Sequence, residues 1–392
     1  MGAAYQARPR LCRPGRSCEG SLVRTAVMLT AAAPLPYLTA ELPGIGGALR
    51  VVDDDFVVEE VPAYAPSGVG EHVYVRIEKR GLSTSEAVRR IARGLGLRER
   101  DVGVAGLKDR HAVTTQWLSL PTPCTPEAAA GFATDGVRVL EATRHGNKLR
   151  TGHLRGNRFR LRVRRLAVPP AEALTRAQAI LARLTTAPGV PNWYGEQRFG
   201  RDGDNAGRGL AIVRGEAPLR RGPDERLTRL MISALQSELF NRWLIARLAD
   251  GAFASALAGD VMHKRGGGLF ACEDAAVDDA RVKAGEIVPT GPMFGTAMRA
   301  PAPGSPAADR EQAVLAEAGL ALDDFARVAR IAEGTRRDGA VALADVDARL
   351  PDEPDALDVS FTLPAGAYAT VVMREICKSD VGTAGDSPEA SA

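Results

Sequence analysis

The residues whose types are best suited to chemistry are Lys108-Asp109-Arg110, a carboxylate between two cations. Opposite charge nearby favours the ionised form of a carboxylate. An ionised Asp suits a nucleophile or a general base, and it suits a solvated turn equally well. Gly103 and Gly106 lie just before the triplet. The run Ala112–Leu120 after it alternates, with Val113, Thr115, Trp117 and Ser119 on one face. The triplet is therefore read as a loop between Val102/Val104 and a strand.

Other chemistries are poorly represented. The five Cys (12, 18, 124, 272, 377) are scattered and odd in number, with no C-x-x-C pair and no Cys/His spacing suited to zinc. They read as reduced thiols, mostly filling the core, and no metal ligands are assigned. No Lys follows a Gly, which excludes a Walker A loop, and no G-x-S-x-G elbow occurs. Gly44-Ile45-Gly46-Gly47 follows Pro43 rather than a strand, so it is a poor dinucleotide fingerprint. No apolar run approaches the 18 or more residues of a membrane span.

A second cluster is basic. Arg144–Arg165 holds nine Lys or Arg and no acid. Arg158, Arg160, Arg162 and Arg164 point one way, while Phe159, Leu161 and Val163 point the other. Cations protect edge strands against aggregation, but nine without one acid exceed that need and favour a phosphate-binding surface. The net charge is only +3, yet just six of the 51 cations are Lys. An Arg excess accompanies GC-rich genomes and also suits forked recognition of phosphate. Pro191–Gly200 sets Trp193 and Tyr194 beside Asn192, Gln197 and Arg198 in a loop-like setting. Such aromatics suit stacking on a base and equally suit tucking into a core.

The elements that must position these residues are legible by period and caps. Ala48–Glu60 is expected as a strand with an acidic turn at Asp53-Asp54-Asp55, and His72–Ile77 as a second strand. Ser83 and Glu86 form a capping box ahead of a helix through Ala87, Val88, Ile91, Ala92 and Leu95. Amphipathic helices are expected over Ala171–Thr186 and, longest of all, Glu225–Asp250. Shorter ones follow at Asp309–Ala318 and Asp323–Glu333, then a strand at Leu357–Leu363. Residues 1–27 carry five Arg against one acid. They read as a disordered extension upstream of a start at Met28, or as a transit-like leader. The tail, 381–392, reads as disordered.

Five motifs in order then resemble the TruD family of tRNA pseudouridine synthases. They are Asp55-Phe56-x-Val58-x-Glu60, Gly106–Thr114, Lys148–Phe159, Asn192–Gly200, and Leu363–Thr370 with Arg374-Glu375. The resemblance runs from about Leu35 to about Ile376. It implies an α+β fold: a pseudouridine-synthase-type catalytic domain with a mainly antiparallel sheet, at 28–217 and 336–380, interrupted by a family-specific α/β insertion at 218–335. It implies isomerisation of uridine 13 of tRNA, with the N1–C1′ bond cut and the base rejoined through C5. The partner would be tRNA, with no metal or other cofactor and no obligate protein partner; the protein would be a cytoplasmic monomer. Asp109 becomes the catalytic carboxylate, working at C1′ by addition or by elimination to a glycal.

The resemblance places substrate contacts at Phe56, Asn192 and Tyr368, with Tyr194, Lys108 and Glu60 beside them. Tyr194 stands where the family commonly has Phe, so its added hydroxyl needs a partner if buried. RNA-backbone contacts are expected at Lys148, Arg150, Arg158, Arg160 and Arg162, and Lys108 and Arg110 are expected to hold Asp109 ionised or to steer phosphate. A target base inside folded RNA must be flipped out, and stacking on aromatic faces offsets that cost. A non-catalytic RNA-binding protein and an enzyme acting on a small anion remain as rival readings.

Overall fold

The sequence periods translate into strands wherever a neighbour can use both faces. The computed structural model describes residues 35–379 apart from Arg201 and Arg221; the expected extension at 1–27 and tail at 381–392 lie outside them. Asp53–Asp55 form a 3-10 turn, and β1 spans only Phe56–Pro62. The strand expected from Ala48 is therefore shorter. Asp55 accepts the Val52 amide at 3.0 Å, which closes a turn where the strand was to begin. β2 (His72–Arg80) leads to α1 (Thr84–Gly94), whose Ser83 cap accepts the Glu86 amide at 3.1 Å.

β3 (Gly103–Val104), β4 (Val113–Leu120), the short α2 (Pro126–Ala129), β5 (Ala133–Thr134), β6 (Val137–His145) and β7 (Leu154–Arg164) follow. The chain then forms α3 (Pro170–Thr185), β8 (Val190–Pro191), α4 (Asn205–Arg214) and α5 (Glu225–Ala249). Next come β9 (Val261–Lys264), β10 (Leu269–Ala271), α6 (Ala275–Lys283), β11 (Ile287–Met293) and α7 (Pro306–Glu317). β12 (Thr335–Asp338), β13 (Ala340–Val341), β14 (Ala344–Arg349), β15 (Ala356–Pro364) and α8 (Ala369–Cys377) complete the described chain.

The second of the two shorter helices expected late in the chain is absent. Leu322–Val328 is a 3-10 turn, and Asp324 binds the Ala321 amide at 2.8 Å. Gly334, at φ +91°, then turns the chain into β12.

The fold is α+β. Nine strands form one sheet in the order β14-β15-β7-β1-β4-β2-β6-β5, with β3 also on β4. Of its pairings only β1 with β4 is parallel. A second sheet runs β10-β9-β11-β12, and β8 pairs with β13. The large sheet is thus built from residues before 165 and after 343, and the second sheet lies between them in sequence.

α3 packs on β14, β15 and α8, and its stripe Ala173, Ala177, Ile180, Leu181 and Leu184 is buried in the same core as the apolar faces of β1 and β7. Burying each such Ile or Leu stabilises the fold by roughly 1.5–3 kcal/mol. A separate cluster packs α1 against β2 and β4. Cys377 and Cys124 are free thiols buried in these two cores, and Cys272 is one in a third, with Met262, Val282 and Ile287.

Candidate active site

Asp109 sits on the loop between β3 and β4, and the loop is fastened from below. Gly103 allows the close approach: a Cβ there would meet Leu149 O and Ser119 Oγ at 2.3 Å. Lys79 is fully buried, and its ammonium donates to the carbonyls of Asp109 and Leu82, each at 2.6 Å. Burial lowers its pKa to about 8, partly offset by the nearby Asp109 charge. Lys108 donates its amide to Thr84 Oγ1 (2.9 Å) and its ammonium to Glu60 (2.6 Å). Glu60 also accepts the Trp117 amide at 3.1 Å.

This corrects the expectation that Lys108 and Arg110 hold Asp109. Lys108 is spent on Glu60, and Arg110 is exposed on the loop. The cation at Asp109 is Arg50, whose Nη2 lies 3.0 Å from Oδ2. Its guanidinium also lies 4.0 Å over the Phe56 ring. Phe56 is buried, with Phe159 at its edge at 6.3 Å between centroids. Arg50 and Lys79 were both missed in the sequence. Lys79 lies two residues past the strand expected at His72–Ile77, and in the fold it continues the buried face of that strand. Arg50 has no motif around it, and its left-handed backbone (φ +58°) shows only in the fold.

Asn192 and Tyr194 come to the same neighbourhood from the segment after β8. Asn192 donates Nδ2 to Asp338 O at 3.0 Å and accepts Arg337 Nη2 on Oδ1 at 2.6 Å. Of the two loop aromatics, both tuck inward. Trp193 is 1% exposed and Tyr194 9%. The Tyr194 hydroxyl finds its partner in Met293 Sδ at 3.6 Å, and Arg337 covers the ring at 4.0 Å. Tyr368, within the C-terminal motif, is the residue just before α8 and lies 6.2 Å from Tyr194 between centroids. Its hydroxyl pKa is raised, by burial above all; Arg198 and Arg337 oppose the shift, while Tyr194 and Asp109 add to it. Asp109, Tyr194, Tyr368 and Arg337 therefore share one electrostatic site. Arg374 and Glu375 do other work. Glu375 accepts the Leu38 and Thr39 amides at 2.7 and 3.1 Å, binding the start of the described chain to α8.

The basic strand is where the structure departs furthest from expectation. In register, Phe56, Val58 and Glu60 oppose Leu161, Phe159 and Asn157. Arg158, Arg160 and Arg162 therefore project from the other face of the sheet. Acids from other strands and turns relieve their crowding. Arg162 pairs with Asp358 (2.6 Å) and Glu353 (3.0 Å), Arg164 with Asp55 (2.8 Å) and Glu353, and Arg158 with Glu59 (3.4 Å). Arg160 is exposed between them. Lys148 and Arg150 differ, because their loop is bonded to the signature loop through Gly152 N–H to Ala105 O at 2.9 Å. No group of His, Cys, Asp and Glu suited to a metal occurs among the described residues, nor any helix long and apolar enough to cross a membrane.

Comparison with known proteins agrees over nearly the whole described chain. Residues 34–218 and 222–376 match the family model described as tRNA pseudouridine synthase D (TruD). A tRNA pseudouridine synthase D of Anaeromyxobacter dehalogenans is 54% identical over 350 residues, 88% of this chain and 97% of that protein. One from Thermus thermophilus is 42% identical over 344 residues, 88% of this chain and 92% of that protein. A crystal structure described as TruD from Methanosarcina mazei superposes with a TM-score of 0.69 at 22% identity, covering 88% of this chain and 96% of that one. It speaks for the fold.

Proposed function

Since the chain belongs to the tRNA pseudouridine synthase D family, we propose that it isomerises uridine 13 of tRNA to pseudouridine, with Asp109 the working carboxylate. The reaction breaks N1–C1′ and forms C5–C1′; C5 loses its proton and N1 ends with one. Substrate and product are isomers, so the net change calls for neither an oxidant nor a hydrolytic water, and the reading assigns no cofactor.

The observation that carries the reading is the setting of Asp109. Its side chain is 31% exposed, its charge faces Arg50 at 3.0 Å, and its backbone is pinned by a buried Lys79. That holds an ionised carboxylate at the surface of a rigid loop, where a flipped ribose can reach it. Tyr368, half-buried, supplies an aromatic face, Phe56 lies beneath Arg50 as the floor of the base pocket, and Asn192 supplies an amide to read the base edge. Glu60 and Lys108 act beneath the loop as its support. Lys148 and Arg150 are the backbone contacts nearest the site, while Arg158, Arg160 and Arg162 would serve RNA that wraps to the far face.

The reading divides the chain into a catalytic domain, 28–217 with 336–380, and an insertion at 218–335, with tRNA between them. The division is supported by a large sheet drawn from both ends of the chain and a second sheet from the middle; β12, Thr335–Asp338, pairs within the second sheet, so that sheet runs three residues past 335. It includes a monomer acting in the cytoplasm, where tRNA is at hand.

Chemical mapping of pseudouridine in tRNA incubated with the protein tests the function. A new pseudouridine at position 13 is expected with the wild type and none with Asp109→Asn. Modification elsewhere, or turnover by the variant, overturns the site or the residue respectively.

A further inference from the structure

One cation of the site belongs to the second sheet and has no place in the scheme above. Arg337 lies on β12, at the end where the chain leaves that sheet; Thr290 pairs with Asp338 at its last register position. From there its guanidinium makes four contacts across two distant segments. Nε and Nη2 donate to the Asn192 carbonyl at 3.2 Å, and Nη2 donates to Asn192 Oδ1 at 2.6 Å and to Gly366 O at 3.1 Å. Its guanidinium carbon lies 4.0 Å over the Tyr194 ring, with Phe240 at 5.5 Å. The next two residues complete the grip, because Asp338 O accepts Asn192 Nδ2 and Gly339 O accepts the Asn192 amide, each at 3.0 Å. Asp338 is itself tied into the second sheet, its carboxylate 2.9 Å from His263 Nδ1 on β9.

The consequence concerns which way the Asn192 amide faces. A guanidinium only donates, and a peptide carbonyl only accepts. Oδ1 must therefore face Arg337, and Nδ2 must face Asp338 O. One Nδ2 hydrogen and one Oδ1 lone pair are left over, in a fixed order. That is the complement of an adjacent carbonyl and N–H, the arrangement on the uracil edge. Lysine, a point charge without a planar fork, lacks the geometry to hold Oδ1, the Asn192 carbonyl and Gly366 O together from its place over Tyr194.

We propose that Arg337 is a positioning residue for uridine recognition: carried to the site by the second sheet, it sets the orientation of the Asn192 amide, so that seating of that sheet and readiness of the base pocket are one event. The inference rests on the reading of Asn192 as a uracil contact.

The test combines single-turnover pseudouridine formation, tRNA binding, and the side-chain amide resonance of Asn192, identified by its loss in Asn192→Ala. Arg337→Lys and Arg337→Gln are compared, the Lys variant guarding against failure of Gln to fold. Each is expected to lower the rate at saturating enzyme by about 10- to 100-fold, the scale of a lost charge-assisted hydrogen bond, with tRNA Kd within about 3-fold of wild type. In the Asn192→Ala background, Arg337→Gln should cost less than about 2-fold more, because the two act as a unit. The Asn192 amide resonance should shift or broaden in both single Arg337 variants without RNA present.

Full activity in Arg337→Lys, multiplicative losses in the double variant, or a loss confined to Kd would each overturn the proposal. So would an unmoved amide resonance, which reads the orientation independently of catalysis. Absence of pseudouridine with the wild type would strike instead at the functional reading, leaving the resonance to judge Arg337.

Discussion

Two carboxylate–cation pairs lie on and beneath the same loop, and they are built for opposite purposes. Asp109 with Arg50 is 3.0 Å long, and its carboxylate side chain is 31% exposed. Glu60 with Lys108 is 2.6 Å long, with side chains 1% and 5% exposed. Glu60 spends its second oxygen on the Trp117 amide, and the Lys108 amide is anchored on Thr84. Such a sealed pair is expensive to break, because one partner alone is a buried charge. Asp109 keeps an edge in solvent, so a substrate can meet it. The comparison teaches that burial, rather than residue type, separates the carboxylate proposed to react from the one that holds the loop.

The sharpest break of that comparison is kinetic. Asp109→Asn should lower the single-turnover rate by about 10⁴-fold or more, as losses at reacting groups do, while urea unfolding shifts by less than about 1 kcal/mol. Lys108→Met should do the reverse in kind, destabilising the fold by about 3–5 kcal/mol in the same urea measurement. Pairing it with Glu60→Leu should recover much of that loss, since an apolar pair leaves no buried charge. If Lys108→Met is neutral to stability, the pair is not the support claimed for it.

A smaller effect concerns Lys79, whose folded pKa of about 8 lies below its unfolded value. Between pH 8 and about 10.4 the unfolded chain then binds more protons, so this group's contribution to stability rises with pH. The wild type should gain on the order of 1 kcal/mol relative to Lys79→Met between about pH 8 and 9.5, read as the difference of their urea curves. A difference that falls over this range would contradict the burial argument.

The smallest effect separates the two groups of basic residues. Arg150→Ala should flatten the log–log salt dependence of tRNA binding by about 0.7–0.9, the share of one neutralised phosphate. Arg162→Ala should change that slope by less, because Asp358 and Glu353 already pair with its charge. Equal slopes for both variants would show that these ion pairs do not hold Arg162 back from phosphate.

Legibility varied with the range of the interaction. The α1 cap at Ser83, the stripe of α3, the extent of α5, the alternation of β7 and the loop at Asp109 were all readable, because each depends on residues within a turn or two. The buried edge of Tyr194 was anticipated as a hydroxyl in need of a partner, though nothing nearby in sequence pointed to Met293. Strands β6, β9, β10 and β14 escaped notice; they are short or partly exposed, so they lack a strong apolar alternation. The expected helix at Asp323–Glu333 gave way to a 3-10 turn, in which the Asp324 carboxylate accepts the Ala321 amide.

By itself the sequence determined the local elements, the ordered motifs, and Asp109 as the residue to watch. Only the tertiary structure decided which charge meets which. Arg50 reaches Asp109 across 59 residues, Glu60 reaches Lys108 across 48, and Asp358 reaches Arg162 across 196. The reason is physical. Sequence neighbours on a strand point to opposite faces, whereas strand order and register bring distant side chains within ion-pair range, so the cations flanking Asp109 in the chain are not the ones that hold it in the fold.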